Sequence, residues 1–137
     1  MALPQRRADG TLPPGRHLAA SLDEVRSTFP PTTARRQALD AALTDLVEVA
    51  RRLGLGSELV IDGSYTTAKP EPSDVDLALL SAGPTEAEAL RQLEAEGVDL
   101  VALDLFVLTT RPSFERWLQF FSADRLQQRR GVIVLMI

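Results

Sequence analysis

Three aspartates and a Gly-Ser pair carry the chemistry that this sequence is equipped to do. Asp74 and Asp76 stand two apart in "SDVDLALL", at the start of an apolar run. Residues two apart on a strand share a face, so both carboxylates point one way and Val75 the other. Two like charges a few ångströms apart repel unless something positive sits between them. A third carboxylate, Asp104, is the one charge within "LVALDLFVL". A lone acid in an apolar strand is costly and needs a partner. If the two strands are neighbours, Asp104 completes a three-carboxylate site. Asp99 is a rival for that place, nearer the start of the strand and close to Gly97. Hard oxygen ligands of this kind suit Mg²⁺, with Mn²⁺ as the alternative.

Gly63-Ser64 lies at the end of "ELVID" and is expected to open a short helical turn over residues 65–69. Glycine lets the backbone approach a ligand closely. N–H groups at a helix start and a serine hydroxyl can bind phosphate. Phosphate at the Gly-Ser turn and Mg²⁺ on the aspartates are what phosphoryl or nucleotidyl transfer requires.

The elements that must position these groups are legible in outline. Leu39, Leu43, Leu46, Ala50 and Leu53 recur at helical spacing and predict a helix over 33–53, capped by Thr32 or Thr33 and ended by Gly54. "ELVID" (58–62) and "DVDLALLS" (74–81) read as strands. The segment between them holds Pro70 and Pro72 and is irregular. A capping box of Thr85 and Glu88 starts a helix over 85–96, which Gly97 ends. "LVALDLFVL" (100–108) is apolar enough to be a central strand. Residues 113–121 form a helix with Phe114, Trp117, Leu118 and Phe121 on one face, a core stripe rather than a ligand box. "GVIVLMI" (131–137) is a last strand, too apolar to stay in water. Residues 1–31 hold five of the nine prolines and form a distinct arm. Within it, Ser21 and Glu24 make a capping box for a short helix that Pro30-Pro31 ends. The expected fold is α+β: a small mixed sheet over 32–137, with helices packed mainly on one side.

Composition narrows the function. The chain has 137 residues, is 45% hydrophobic and 25% charged, and fits one folded domain. A net charge of −4 argues against duplex DNA as a partner. Cysteine is absent and His17 is the only histidine, which excludes Cys-based and multi-His zinc sites. The start, "MALPQRRADG", lacks the apolar core of a secretory signal, and no run is long enough to cross a bilayer. A cytoplasmic protein without a membrane partner is the expectation.

Gly63-Ser64, then Asp74-Val75-Asp76, then a distant carboxylate resembles the signature of the nucleotidyltransferase superfamily (the DNA polymerase β-like fold). The opening "LPPGRH" and the core "DGSYTTAKPEPSDVDL" also look like short bacterial nucleotidyltransferase-like proteins of poorly defined function. The resemblance implies that Asp74 and Asp76 bind two Mg²⁺ ions. It implies that Asp104 binds one of them and helps activate an acceptor hydroxyl, and that Gly63 and Ser64 hold the β- and γ-phosphates of a nucleoside triphosphate. The acceptor would be a protein, an RNA end or a small molecule at an oligomer interface.

The chain departs from the pattern too. Small family members of the antitoxin type carry an arginine soon after Gly-Ser; here stand Tyr65, Thr66 and Thr67, and the first positive charge is Lys69. Lys69, or a later arginine such as Arg129 or Arg130, would have to grip the phosphates. Asp62 adds negative charge beside them. The alternative is therefore an inactive binding module of the same fold, acting on a partner protein such as a toxin. Other residues keep two readings: Asp104 as a structural acid paired with Arg116, Lys69 as a solvated loop residue, and Tyr65 as a base-stacking ring or as packing beneath the turn.

Overall fold

The computed structural model describes residues 3–121 and 130–137. Among them, five strands and four α-helices follow in the order β1 (Gly15–Ala19), α1 (Leu22–Thr28), α2 (Ala34–Leu53), β2 (Gly56–Asp62), β3 (Val75–Ser81), α3 (Glu86–Ala95), β4 (Leu103–Leu108), α4 (Arg111–Phe121) and β5 (Gly131–Met136). A single 3₁₀ turn, Gly63–Thr66, follows β2 directly. The strands form one mixed sheet in the order β1-β5-β2-β3-β4. β2 runs antiparallel to both β3 and β5, while β3–β4 and β1–β5 are parallel.

Alternation along the strands divides the core in two. Leu59, Ile61, Leu77, Leu79, Ile133 and Leu135 face α1, α2 and α3, which bring Val25, Leu39, Leu43, Leu46 and Leu93 to the larger cluster, joined by Phe29 just after α1. Val60, Ala78, Leu80, Val132 and Val134 face the other way, where α4 lays down Phe114, Trp117 and Leu118. Three helices therefore cover one face and one helix part of the other. The side chain of Phe121 lies outside the described residues.

The helix signals act where the sequence places them. Thr33 caps α2 by accepting the Arg36 N–H, and Gly54 closes the helix at φ 63°. Thr85 caps α3 by accepting the Glu88 N–H at 3.2 Å. The box expected at α1 is different: Ser21 makes no side-chain cap bond, and Glu24 accepts instead from the Ala20 N–H at 2.6 Å.

Two expectations are corrected. The proline-rich segment is not apart from the sheet. It supplies β1, an edge strand in register with β5, and buries Leu12, Val25 and Phe29 in the larger cluster. β4 is an edge strand rather than a central one. Its apolar composition reflects cover by helices on both faces, not strands on both sides. Glu86 occupies one donor of the free edge by accepting the Val107 N–H at 3.0 Å. β4 also starts later than residue 100, because Asp99 accepts from the Val101 and Ala102 N–H groups and holds those residues in a turn. β5, by contrast, lies inside the sheet, as its apolarity requires. No helix among the described residues is long and apolar enough to cross a membrane.

Candidate metal and phosphate site

The strand registers assemble an acidic row. Asp62, the last residue of β2, pairs with Asp76 of β3, and Asp76 pairs with Asp104 of β4. Residues opposite one another in a ladder share a face. This face carries Val60, Ala78 and Phe106, and α4 covers its other end. Asp74 precedes β3 by one residue and joins the row. One carboxylate oxygen from each of Asp74, Asp76 and Asp104 lies within 4.8 Å of the other two. Asp99, the rival, is occupied in its turn. Arg116 does not neutralise Asp104 but donates to the Ser113 Oγ at 3.1 Å.

Electrostatics records the crowding. Partial burial pushes the Asp76 carboxyl up to about 7, and the neighbouring carboxylates of Asp74, Asp104 and Asp62 add to the rise. Asp62 is 1% exposed. Burial raises it to about 6, against the pull of Arg130 and of the Gly63 N–H, which bonds its carboxylate. The donor set fits a hard divalent ion. Trans oxygens around an octahedral Mg²⁺ stand about 4.2 Å apart, so small side-chain adjustments let the three carboxylates share one.

Gly63 is fixed by this row. It sits at φ 82°, and a Cβ there would lie 2.7 Å from the Asp76 Cγ and closer still to its Oδ2. No larger residue fits between the turn and the carboxylate. The Gly63 N–H is directed to Asp62, which leaves Ser64, half-buried in the 3₁₀ turn, as the candidate for a phosphate. Lys69 is exposed, with its backbone N–H bonded to the Thr67 Oγ1.

With this geometry established, comparison with known proteins places the chain. The model of a family of unknown function, DUF6932, matches residues 4–136. The chain belongs to that family. No curated protein and no solved structure matches it.

In this DUF6932 chain the loop joining Gly63-Ser64 to Asp74 is pinned from behind by the first turn of α2. Arg36 is 4% exposed. It donates to the carbonyls of Tyr65 at 2.9 Å, Thr67 at 2.7 Å and Lys69 at 2.7 Å. Arg35 donates to the carbonyls of Pro72 and Ser73, and the Thr33 hydroxyl to that of Pro70 at 2.8 Å. Tyr65 packs beneath the turn, 1% exposed, with the Arg36 guanidinium 5.2 Å from its ring centre. It is therefore not free to stack on a base.

Sequence reasoning missed Arg35 and Arg36, because an arginine on an amphipathic helix usually reads as solvated surface. Their position at the helix start, where acids are favoured, was the available signal. Arg36→Ala leaves three carbonyls without their charged donor and is expected to cost about 3 kcal/mol, lowering the melting temperature by roughly 10 °C. Arg36→Lys should recover only part of this, since one ammonium cannot span three carbonyls. Unchanged melting of Arg36→Ala would contradict the assigned role.

Proposed function

We propose that this protein is a minimal Mg²⁺-dependent nucleotidyltransferase. It would move a nucleoside monophosphate from a nucleoside triphosphate onto an acceptor hydroxyl. The observation that carries the reading is the convergence of Asp74, Asp76 and Asp104 beside the Gly63-Ser64 turn. The resemblance in sequence requires this convergence, and three separate elements supply it.

Asp74, Asp76 and Asp104 would hold the metal, with Mn²⁺ able to replace Mg²⁺. Bound there, the ion supplies charge neutralisation at the phosphates and a lowered pKa at the acceptor hydroxyl. Ser64 orients the phosphates from the turn that Arg36 holds rigid. Asp104 is the most exposed of the three acids and would take the proton of an incoming hydroxyl. A bond forms between the acceptor oxygen and the α-phosphorus, the bond from that phosphorus to the bridging oxygen breaks, and pyrophosphate leaves. The acceptor would be a protein, an RNA end or a small molecule.

A second reading, the non-catalytic module that binds a partner protein such as a toxin, is favoured by Tyr65. The stretch that carries an arginine in antitoxin-type members here turns inward into the core.

The test uses each nucleoside triphosphate labelled, in parallel reactions, at the α- or at the γ-phosphate, incubated with the protein, Mg²⁺ and cell lysate. Transfer of the α-label to an acceptor with release of unlabelled pyrophosphate is expected. If only the γ-label were transferred, or if none of the four nucleotides gave up label, the enzymatic reading would fail.

A further inference from the structure

We infer that Arg130 is the oxyanion-binding residue of this site. Asp62 sets its guanidinium, and its terminal amino groups take the outer phosphates of the nucleoside triphosphate. The inference rests on the proposed function and assigns the phosphate-binding cation that the sequence after Gly63-Ser64 lacks.

The fold brings Arg130 to the acidic row from an unrelated part of the chain. β5 runs antiparallel to β2, so the residue just before β5 lies beside the end of β2, where Asp62 leads into Gly63-Ser64. The Arg130 Nε is 3.5 Å from the Asp62 Oδ1. Both atoms are buried, and among the described residues neither has a hydrogen-bond partner. An ion pair this deep and this loosely made gives little stability for the desolvation it costs. It does hold a planar, forked cation beside Asp62, with Nε the nearer part of the group.

The Arg130 side chain is 20% exposed while its Nε is buried, so its accessible part lies elsewhere on the group. Nε turned toward Asp62 leaves the two terminal amino groups for bidentate contact with phosphate oxygens.

Charge requires such a cation. Asp62, Asp74, Asp76 and Asp104 bring four carboxylates to one patch. Two divalent ions only balance those four charges. A triphosphate approaching the same patch needs further positive charge, and among the described residues Arg130 is the cation that the sheet sets against the row. Asp62, which looked hostile to phosphate in the sequence, becomes the residue that aims it. Lys69 sits in the exposed loop instead.

Calorimetric titration of the full chain tests this, with Mn²⁺ alone and with Mg²⁺-ATP. Arg130→Gln should weaken Mg²⁺-ATP binding tenfold or more while leaving Mn²⁺ affinity unchanged or tighter, since a positive charge near the metal is lost. Arg130→Gln strands the buried Asp62, so the double variant Asp62→Asn/Arg130→Gln is measured beside it. It should fold and bind Mn²⁺, yet show the same loss toward Mg²⁺-ATP. If the double variant binds Mg²⁺-ATP as wild type does, Arg130 merely neutralises Asp62 and the inference falls alone. If wild type binds neither Mn²⁺ nor Mg²⁺-ATP, the proposed function falls and the inference with it.

Discussion

Asp76→Asn is expected to raise the melting temperature of the metal-free protein while abolishing its stabilisation by Mg²⁺-ATP. Without a cation, Asp76 stands among Asp62, Asp74 and Asp104 in a half-buried position, and its carboxyl is pushed up to about 7. Removing that charge at pH 8 relieves repulsion. At a half-exposed site solvent screens the effect to about 1 kcal/mol, or roughly 3–5 °C. Asparagine keeps the shape but loses the formal charge and one strong oxygen ligand, so the ion and its nucleotide are released. Stability and ligand response should therefore move in opposite directions. Thermal melting of both proteins, with and without Mg²⁺-ATP, checks this; equal Mg²⁺-ATP stabilisation of the two would contradict it.

The same crowding sets a pH dependence. An acid whose pKa is raised by folding binds its proton more tightly in the folded chain than in the unfolded one. Stability from that proton is fully present below the ordinary value of 3.8 and is lost as pH rises through about 7 for Asp76 and about 6 for Asp62. Between about pH 4 and 7 these two groups make the metal-free protein progressively less stable. Mg²⁺ should cancel most of the decline. Asp76→Asn should flatten it, leaving the smaller share due to Asp62. Melting curves from pH 4 to 8 would show a rising trend instead if the carboxylates were paired with cations throughout.

Deleting residues 131–137 is expected to prevent folding. β5 lies between β1 and β2, and its loss cuts β1 from the sheet as well. Val132, Ile133, Val134 and Leu135 are all buried, on alternating faces. At about 1.5–3 kcal/mol for each such side chain, even discounted for residual burial in the unfolded chain, the loss matches the whole stability of an ordinary domain. The truncated chain should show no cooperative melt. Ile133→Ala, a milder change, should cost about 2–5 kcal/mol and still fold. A cooperative transition at the wild-type temperature in the deletion would refute this role for β5.

How much of this was legible in the sequence follows from the range of each signal. Local signals sufficed for α2 and α3, because Thr33, Gly54 and Thr85 act within one turn of themselves. The period-two rule sufficed for Asp74 and Asp76, and the lone charge of β4 pointed to Asp104. Long-range pairing was not legible. Nothing in "GRHLA" marks a strand until β5 lies beside it. Nothing in "LVALDLFVL" tells an edge strand covered by two helices from a central one. Arg36 was hidden for the same reason: its partners are the Tyr65, Thr67 and Lys69 carbonyls, all distant in sequence. Arg130 was one of three cations named for the phosphates, and only the fold sets it beside Asp62. Arg129, weighed alongside Arg130 as a phosphate ligand, lies outside the described residues. The site thus divides into acids that a motif displays and cations that only the fold brings to them.

Equilibrium dialysis of labelled ATP against the full chain tests most directly whether the Asp74, Asp76 and Asp104 cluster is a metal-nucleotide site. With Mg²⁺ present, ATP should accumulate on the side of the wild-type protein. It should distribute evenly when Mg²⁺ is chelated or when Asp76→Asn replaces wild type. Even distribution with wild type and Mg²⁺, or accumulation indifferent to both Mg²⁺ and Asp76, would contradict the site.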